Sequence, residues 1–208
     1  MSTSTTQPDA RTRLLDAAMQ VIRAEGYAAA SVGDICRAAE LSKGAFFHHF
    51  NGKDELALAT AAHFSQMAER LFRAAPYRQH TDPLDRLLGY VDFRSSLLTG
   101  PIANFTCLLG TLVQEAYATH PAIRDACDAY MRGHAAEVAK DIAAAKAVYA
   151  PEASWSAEGL ALYMQAVLQG AFVLAKAKGD GDVARDCLAH LRGYLAHLFH
   201  RPTSKEER

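Results

Sequence analysis

Residues 41–56 read Leu41-Ser-Lys-Gly-Ala-Phe-Phe-His-His-Phe-Asn-Gly-Lys-Asp-Glu-Leu56, and this stretch decides the fold of the amino-terminal part of the chain. Ser42 is a predicted helix N-cap, because its hydroxyl can accept a hydrogen bond from a free backbone N–H of the first turn. Gly44 has no side chain to hold the backbone of that turn away from a neighbour. Asn51-Gly52 then ends the helix, and Asp54-Glu55 favour the start of another.

Two further helices are predicted upstream of this stretch. Ser31-Val32-Gly33-Asp34 has the spacing of a capping box, and Gly26-Tyr27 ends the element before it. Apolar residues recur at helical spacing in both elements, at Leu14, Leu15, Ala18, Met19 and Ile22 and again at Val32, Ile35, Cys36 and Ala39. The three elements predict a helix-turn-helix in a three-helix setting, whose last helix would lie in a groove of DNA.

From Arg11 to Leu56 the chain resembles the TetR family of transcriptional regulators. The shared residues are Gly26-Tyr27, Ser31, Ile35, Ser42-Lys43-Gly44, the aromatic residue at 47, His49-Phe50, Lys53 and Glu55-Leu56. The resemblance implies an all-α fold, with an N-terminal three-helix helix-turn-helix DNA-binding domain and a C-terminal helical ligand-binding and dimerisation domain. It also implies a transcriptional regulator, usually a repressor.

The chain departs from the family pattern at two positions. Glu40 stands where the family usually has a turn glycine, and a non-glycine residue forced to positive φ costs roughly 1 kcal/mol or more. Phe47 stands where the family usually has tyrosine. It lacks the hydroxyl that would bind a phosphate, but it can still pack on a sugar or a thymine methyl group.

The residues that we expect to contact DNA lie on or beside the recognition helix. They are Ser31, Ser42, Lys43, Gly44, Ala45, Phe47, His48 and Lys53. Lys43 and Lys53 are the cations best placed for phosphates or base edges, although isolated lysines are more often solvated surface. The serines can bond phosphate as well as cap. By resemblance His48 is the base or phosphate contact, and His49 is more structural.

Length, composition and charge bound the architecture. With 208 residues, half of them hydrophobic, the chain can bury a sizeable core. We predict a tail at 1–9, the DNA-binding domain at 10–55, the ligand-binding and dimerisation domain at 56–200 and a second tail at 201–208. The net charge of −1 is unlike that of a nucleic-acid protein, but phosphate contact needs only a few positive groups on one face.

The four cysteines are far apart and form no CxxC or Cys-His spacing. A reducing cytoplasm therefore fits best, and no metal or cofactor is expected. His197 and His200 have ligand-like helical spacing, but no carboxylate or cysteine accompanies them. The apolar stretch 159–175 is shorter than the roughly 20 residues that a bilayer needs and contains Gln165 and Gln169, which favours a buried helix.

The connecting helix is expected to run from Leu56 toward Pro76, linking a bound ligand to the recognition helix. Further helices are predicted near 82–98, 103–118, 122–148, 155–177 and 181–200, with Pro83 in the first turn of the first of them. Apolar stripes on the last two predict either a dimer interface or packing against the chain's own core. The resemblance favours a homodimer, with Leu160, Met164, Val167, Leu168, Ala171, Leu191 and Leu195 at the interface.

Aromatic and soft side chains of the middle helices could line a mostly apolar cavity for a small molecule. The predicted ligand-binding residues are Phe64, Met67, Tyr90, Phe93, Cys107, Tyr130 and His134. The segment Cys107-Leu108-Leu109-Gly110 resembles that of a TetR subgroup that includes electrophile-responsive repressors, which implies a thiol sensor. The alternative is that Cys107 is a small buried hydrophobe.

Two functions from different classes remain. The first is a regulator that is released from operator DNA by a hydrophobic or electrophilic ligand. The second is an all-helical enzyme or adaptor with a fortuitous helix-turn-helix-like segment. The chain has no HExxH, GxSxG or phosphate-binding glycine loop, so we do not expect an enzyme.

Overall fold

The computed structural model describes residues 9–200, and within them every regular element is helical. Ten α-helices follow one another along the chain: α1 Ala10–Glu25, α2 Val32–Ala38, α3 Lys43–His49, α4 Lys53–Arg73, α5 Pro83–Ser96, α6 Ile102–Phe105, α7 Leu108–Ala116, α8 Pro121–Tyr149, α9 Ala157–Lys178 and α10 Asp182–Leu198. A short 3-10 turn at Pro76–Gln79 was not predicted. The all-α fold class is confirmed.

The described residues form two compact units. The first contains the described residues up to Ala68 together with Cys107–Tyr130, and the second contains Glu69–Thr106 together with the residues from Met131 onward. The sequence predicts a single boundary between residues 55 and 56. The structure instead places α7 and the start of α8 with the amino-terminal helices. The predicted tails lie outside the described residues, except that Asp9 caps α1 by accepting from the Thr12 amide at 2.7 Å.

Local capping explains where several helices begin. Asp82 accepts hydrogen bonds from the amides of Leu84 and Asp85, with Pro83 in the first turn of α5 as predicted. Ser156 caps α9 in the same way. Gly179, in the left-handed conformation, ends that helix.

The predicted helix over 103–118 is wrong as a single element. Thr106 and Cys107 adopt extended backbone, so that α6 ends at Phe105 and α7 begins at Leu108. Both residues are weak helix formers. The hydrophobic periodicity continues across the break, which is why the sequence pattern does not reveal it.

The first unit is built around α1. Its buried side chains pack with those of α2, α3 and α7, and the core includes Leu14, Ile22, Ile35, Phe46 and Leu112. The second unit packs α10 against α5 and α9, with Leu84, Leu87, Leu168, Leu188 and Leu195 in its core. Apolar burial of this kind is the main favourable term in folding.

Helix α9 is long and apolar enough to cross a membrane by length and composition, and it is the one helix of which this is true among the described residues. This is weak evidence for a membrane span, since core helices share these properties. One side of α9 is buried in the second unit, and its other side carries exposed apolar side chains.

Candidate functional site

Helix α3 presents an open face and a buried face. Phe46 in the helix and Phe50 at its end are buried, with ring centroids 5.8 Å apart, and they fix α3 on the core of the first unit. The open face carries Ser42, Lys43, Gly44, Phe47 and His48, all exposed, with Ala45 half-buried beside them. Phe47 is 59% exposed although it is a large apolar residue. The geometry therefore leaves this face of α3 accessible, with the Ser42 hydroxyl also capping the helix.

The two predicted serine caps are confirmed. The Ser31 hydroxyl accepts from the Asp34 amide at 3.1 Å, and the Asp34 carboxylate closes the capping box by accepting from the Ser31 amide. The Ser42 hydroxyl accepts from the Ala45 amide at 3.1 Å. Each hydroxyl lies on the surface at the start of a short helix, so that capping leaves it accessible.

The turn between α2 and α3 is strained at Glu40. Its φ is +52°, so that the chain adopts the left-handed conformation with a residue that has a Cβ. Arg13 from α1 supports this turn by donating to the carbonyl of Ala39 at 2.6 Å, and its guanidinium lies 3.6 Å from the Glu40 carboxylate. The sequence did not single out Arg13, because its partners are more than twenty residues away in the chain.

Lys43 and Lys53 differ in how far their ammonium groups are available to bind DNA. Lys43 is exposed, and its aliphatic stem lies beside Gly33. Lys53 is half-buried, and its ammonium donates to the carbonyl of Tyr27 at 3.0 Å and lies 4.5 Å from the centre of the Tyr27 ring. Lys53 thus holds the loop after α1, and only what remains of its three donors can serve a phosphate.

The loop between α1 and α2 is held from two further elements of the same unit. The Glu115 carboxylate in α7 accepts from the Ala28 amide at 2.7 Å. Gly26 has φ +90° and lies so close to Glu115 that an added Cβ would clash with the carboxylate. The Tyr27 hydroxyl donates to Asp54 at the start of α4, and its ring packs edge-on against His120. Helices α4 and α7 therefore fix the loop that leads into the helix-turn-helix.

Cys107 lies at the start of α7 and is half-buried. Arg23 of α1 and Cys127 of α8 are both close enough to interact with it electrostatically. Burial raises the pKa of Cys127 to about 12, so that this residue stays a neutral thiol. Arg23 supplies the positive neighbour that the sequence around Cys107 lacks.

The seven predicted ligand-binding residues do not form one set within either unit. Phe64, Met67, Cys107 and Tyr130 belong to the first unit, where Met67 is exposed. Tyr90, Phe93 and His134 come together in the second unit. Phe72 and Tyr77 join them through ring contacts of 4.9 to 5.8 Å, and the sequence did not select these two. Gly89 allows this packing, since an added Cβ would lie 2.8 Å from the Tyr77 Cβ.

The residues predicted for the dimer interface need correction. Six of them are buried in the chain's own second unit, namely Leu160, Met164, Leu168, Ala171, Leu191 and Leu195, and Val167 is half-buried. Helical periodicity correctly marks an apolar stripe but cannot tell a core from a partner. The exposed apolar side chains of α9 and α10 are different ones: Leu162, Tyr163, Val173, Leu174 and Tyr194.

Family models match most of the chain. Residues 14–60 match the model described as bacterial regulatory proteins of the tetR family, and residues 83–191 match the tetracyclin repressor-like C-terminal domain. Among curated relatives, an uncharacterised HTH-type transcriptional regulator, YxaF of Bacillus subtilis, is 23% identical over 59% of this chain and 64% of its own length. The transcriptional regulator AcuR of Cereibacter sphaeroides is 28% identical over 49% of this chain and 47% of its own length.

Solved structures show the same fold over nearly the whole chain. The regulatory protein TetR from Rhodobacter sphaeroides superposes with a TM-score of 0.79 at 24% identity, over 89% of this chain and 98% of that one. The reduced form of Escherichia coli NemR superposes with a TM-score of 0.72 at 23% identity, over 89% of this chain and 96% of that one. At this identity the likeness is one of fold.

Proposed function

The chain belongs to the TetR family of bacterial transcriptional regulators, and we propose that it is a repressor which binds operator DNA as a homodimer. A small, largely hydrophobic or electrophilic effector bound in the C-terminal domain would release it. The effector would select a state in which the two recognition helices are held at a spacing that the operator does not match. The cytoplasm, where the chromosome lies, is the proposed location.

The observation that carries DNA binding is the open face of α3. Lys43, Gly44, Phe47 and His48 share one side of a short helix whose other side is fixed by the buried ring of Phe46. This face offers a cation, a ring that can pack on sugar or a thymine methyl group, and an imidazole for base or phosphate.

The exposed apolar side of α9 and α10 supports the proposed dimerisation. This face consists of Leu162, Tyr163, Val173, Leu174 and Tyr194, with Gly170 and Gly193 exposed along it. Nothing lies within 4 Å of a Cβ added at either glycine, so that a partner helix could approach closely there. A two-fold copy would present two recognition helices to two half-sites about one helical turn apart, which doubles the phosphate contacts of a weakly charged domain.

DNA binding is tested by fluorescence anisotropy on fragments of the promoter next to the gene, with a scrambled fragment as the reference. A regulator should prefer the promoter fragment, and its affinity should fall steeply as salt rises. Lys140→Ala is the control for the Lys43→Ala variant, because Lys140 is an exposed lysine of α8 that pairs with Glu137. Equal affinity for the promoter and the scrambled fragment would count against the proposal.

The part of the proposal in which an electrophile releases the protein from DNA depends on Cys107. Treating the DNA-bound protein with N-ethylmaleimide should release the wild type, and Cys107→Ser should stay bound. Cys187→Ser is a matched control, since Cys187 is also half-buried but lies on α10. If N-ethylmaleimide releases Cys107→Ser from DNA at the wild-type rate, Cys107 is not the sensor of electrophiles. The proposal of a non-covalent effector would not be affected.

A further inference from the structure

Arg94 of α5 is surrounded by aromatic rings. Its Cζ lies 4.8 Å from the centroid of Phe72 and 5.7 Å from that of Tyr90, both of which are buried. The guanidinium Nε is shielded from solvent and has no hydrogen-bond partner. Arg94 is half-buried, and among the described residues no carboxylate lies within ion-pair distance of it, whereas its neighbours Arg78 and Arg86 are both paired. We name Phe72, Tyr77, Tyr90, Phe93, Arg94 and His134 the Arg94 cluster.

The neighbours of Arg94 do not supply the missing negative charge. The Tyr90 hydroxyl lies 2.9 Å from Nε2 of His134. Burial lowers the pKa of His134 to about 4, and the charge of Arg94 acts in the same direction, so that the imidazole is neutral at pH 7 and can accept from the tyrosine. Burial also raises the pKa of Tyr90, which therefore stays a neutral phenol.

The carboxylates in this part of the unit are already engaged by other cations. Asp141 of α8 binds Arg78 at 2.9 Å and Arg86 at 3.1 Å. Glu137 of α8 also acts on His134 and Arg78, but it is engaged by Lys140 at 2.6 Å. The four cations Arg78, Arg86, Arg94 and Lys140 are thus balanced by two carboxylates. The region therefore carries an excess of positive charge beside an apolar, aromatic wall.

We propose that the Arg94 cluster is the binding site for the anionic group of a small carboxylate with an apolar body, and that this molecule is the effector. A carboxylate can accept two parallel hydrogen bonds from a guanidinium, and the unpartnered Nε is one of the donors on such an edge. The rings of Phe72, Tyr77 and Phe93 would pack against the apolar body. A buried polar atom without a partner is where an absent ion or ligand group is expected.

The single guanidinium decides the class of ligand. One Arg94 edge matches a singly charged carboxylate, whereas a phosphate dianion carries a second charge for which the cluster, with His134 neutral, holds no second cation. A fully apolar ligand would leave the shielded Nε of Arg94 without a partner. The cluster thus fits an aromatic or short aliphatic monocarboxylate best, and entry requires the rings around Nε to shift.

This assignment rests on the proposed ligand-responsive function, and its test uses the purified full-length protein. Calorimetry at fixed ionic strength compares benzoate and phenylacetate with benzamide and phenylacetamide, which have the same shapes without the charge. We expect saturable binding of at least one acid, and affinity for its amide lower by ten-fold or more. Equal binding of the acid and the amide, or no binding of either acid, overturns the assignment.

Variants locate the site. Arg94→Gln should lose ten-fold or more in affinity for the acid, and Arg94→Lys should fall between it and the wild type, because lysine keeps the charge but not the two-donor edge. Arg192→Gln, which removes an equal charge from an exposed pair with Asp92, should bind as the wild type does. Wild-type affinity in folded Arg94→Gln or Arg94→Lys overturns the assignment, and if the glutamine variant does not fold, the lysine variant and the acid–amide contrast decide.

The same preparations separate this inference from the proposed function. Promoter binding is measured without any acid present. If the wild type binds acids through Arg94 but shows no preference for promoter DNA, the repressor proposal fails and the carboxylate site stands. If it prefers promoter DNA but distinguishes no acid from its amide, the repressor proposal stands and the carboxylate site fails.

Discussion

The Glu115 carboxylate accepts a hydrogen bond from the Ala28 amide at 2.7 Å, and these two residues are 87 positions apart in the sequence. The bond joins α7 to the loop that leads into the helix-turn-helix, within the first unit. That loop also carries the Tyr27 contacts to α4 and His120. A displacement of α7 would therefore move the loop that precedes the helix-turn-helix.

We predict that Glu115→Ala lowers the free energy of unfolding by about 1 kcal/mol, because the Ala28 amide loses a charged acceptor near the surface. Glu115→Gln should lose less, since the amide oxygen can still accept. Urea denaturation measures both changes. Gln114→Ala is the control, because Gln114 bonds only the Gly110 carbonyl of its own helix. A cost as large in the control would show that α7 is merely sensitive to substitution.

Glu40 gives a second prediction, which concerns backbone strain. Glu40→Gly should raise the free energy of unfolding by about 1 kcal/mol relative to Glu40→Ala, because glycine relieves the positive φ and alanine does not. Both variants lose the contact with Arg13 equally, so that the comparison isolates the backbone. Thermal unfolding of the two variants measures the difference. Identical midpoints would mean that the turn relaxes without cost.

Features set by neighbouring residues were predictable from the sequence, and features set by distant ones were not. The capping box at Ser31, the N-cap at Ser42 and the place of Pro83 in the first turn of α5 depend on residues within three positions, and all three are found. The carbonyls that hold Lys53 come from a loop 26 residues away, so its sequence context gives no sign of them.

The predicted interface residues also show that sequence spacing does not reveal contacts with distant parts of the chain. The spacing of Leu160, Met164 and Leu168 marks a helix face that must be buried, but it contains no information on what covers it. In the structure that cover is the chain itself. Likewise Tyr90 and Arg94 are one helical turn apart in the sequence, but the ring of Phe72 that completes their surroundings comes from α4.

A third prediction concerns the open face of α3. Lys43→Ala should weaken promoter binding about ten-fold at moderate salt and reduce the slope of log affinity against log salt by about 1 per protomer. Phe47→Ala should weaken binding with little change of slope, because the lost contact is apolar. Anisotropy titrations at four salt concentrations measure both. A Lys43→Ala protein with the wild-type slope would place Lys43 away from phosphate.

A fourth prediction concerns the exposed face of α9. Val173→Glu should raise the dissociation constant of the homodimer about a hundred-fold, because it buries an unpaired carboxylate at the proposed interface. Val148→Glu is the matched control, since Val148 is 62% exposed but lies on α8. Sedimentation equilibrium measures both. If Val148→Glu dissociates the dimer and Val173→Glu does not, the interface lies on another face.

The last prediction follows from His134. Its pKa in the folded protein is about 4 because of burial, below the value of 6.5 expected in the unfolded chain. Between these values the unfolded chain binds a proton that the folded protein does not. The free energy of unfolding therefore has its full value above pH 6.5 and decreases as the pH falls toward 4. Each pKa unit corresponds to roughly 1.4 kcal/mol, so the loss amounts to about 3 kcal/mol. His134→Gln, which still offers Tyr90 an acceptor, should flatten this acid limb, and His190→Gln, at an exposed histidine, should not. Urea denaturation at pH 7, 6, 5 and 4 measures the curves, and parallel acid limbs in the wild type and His134→Gln would assign the loss to other groups.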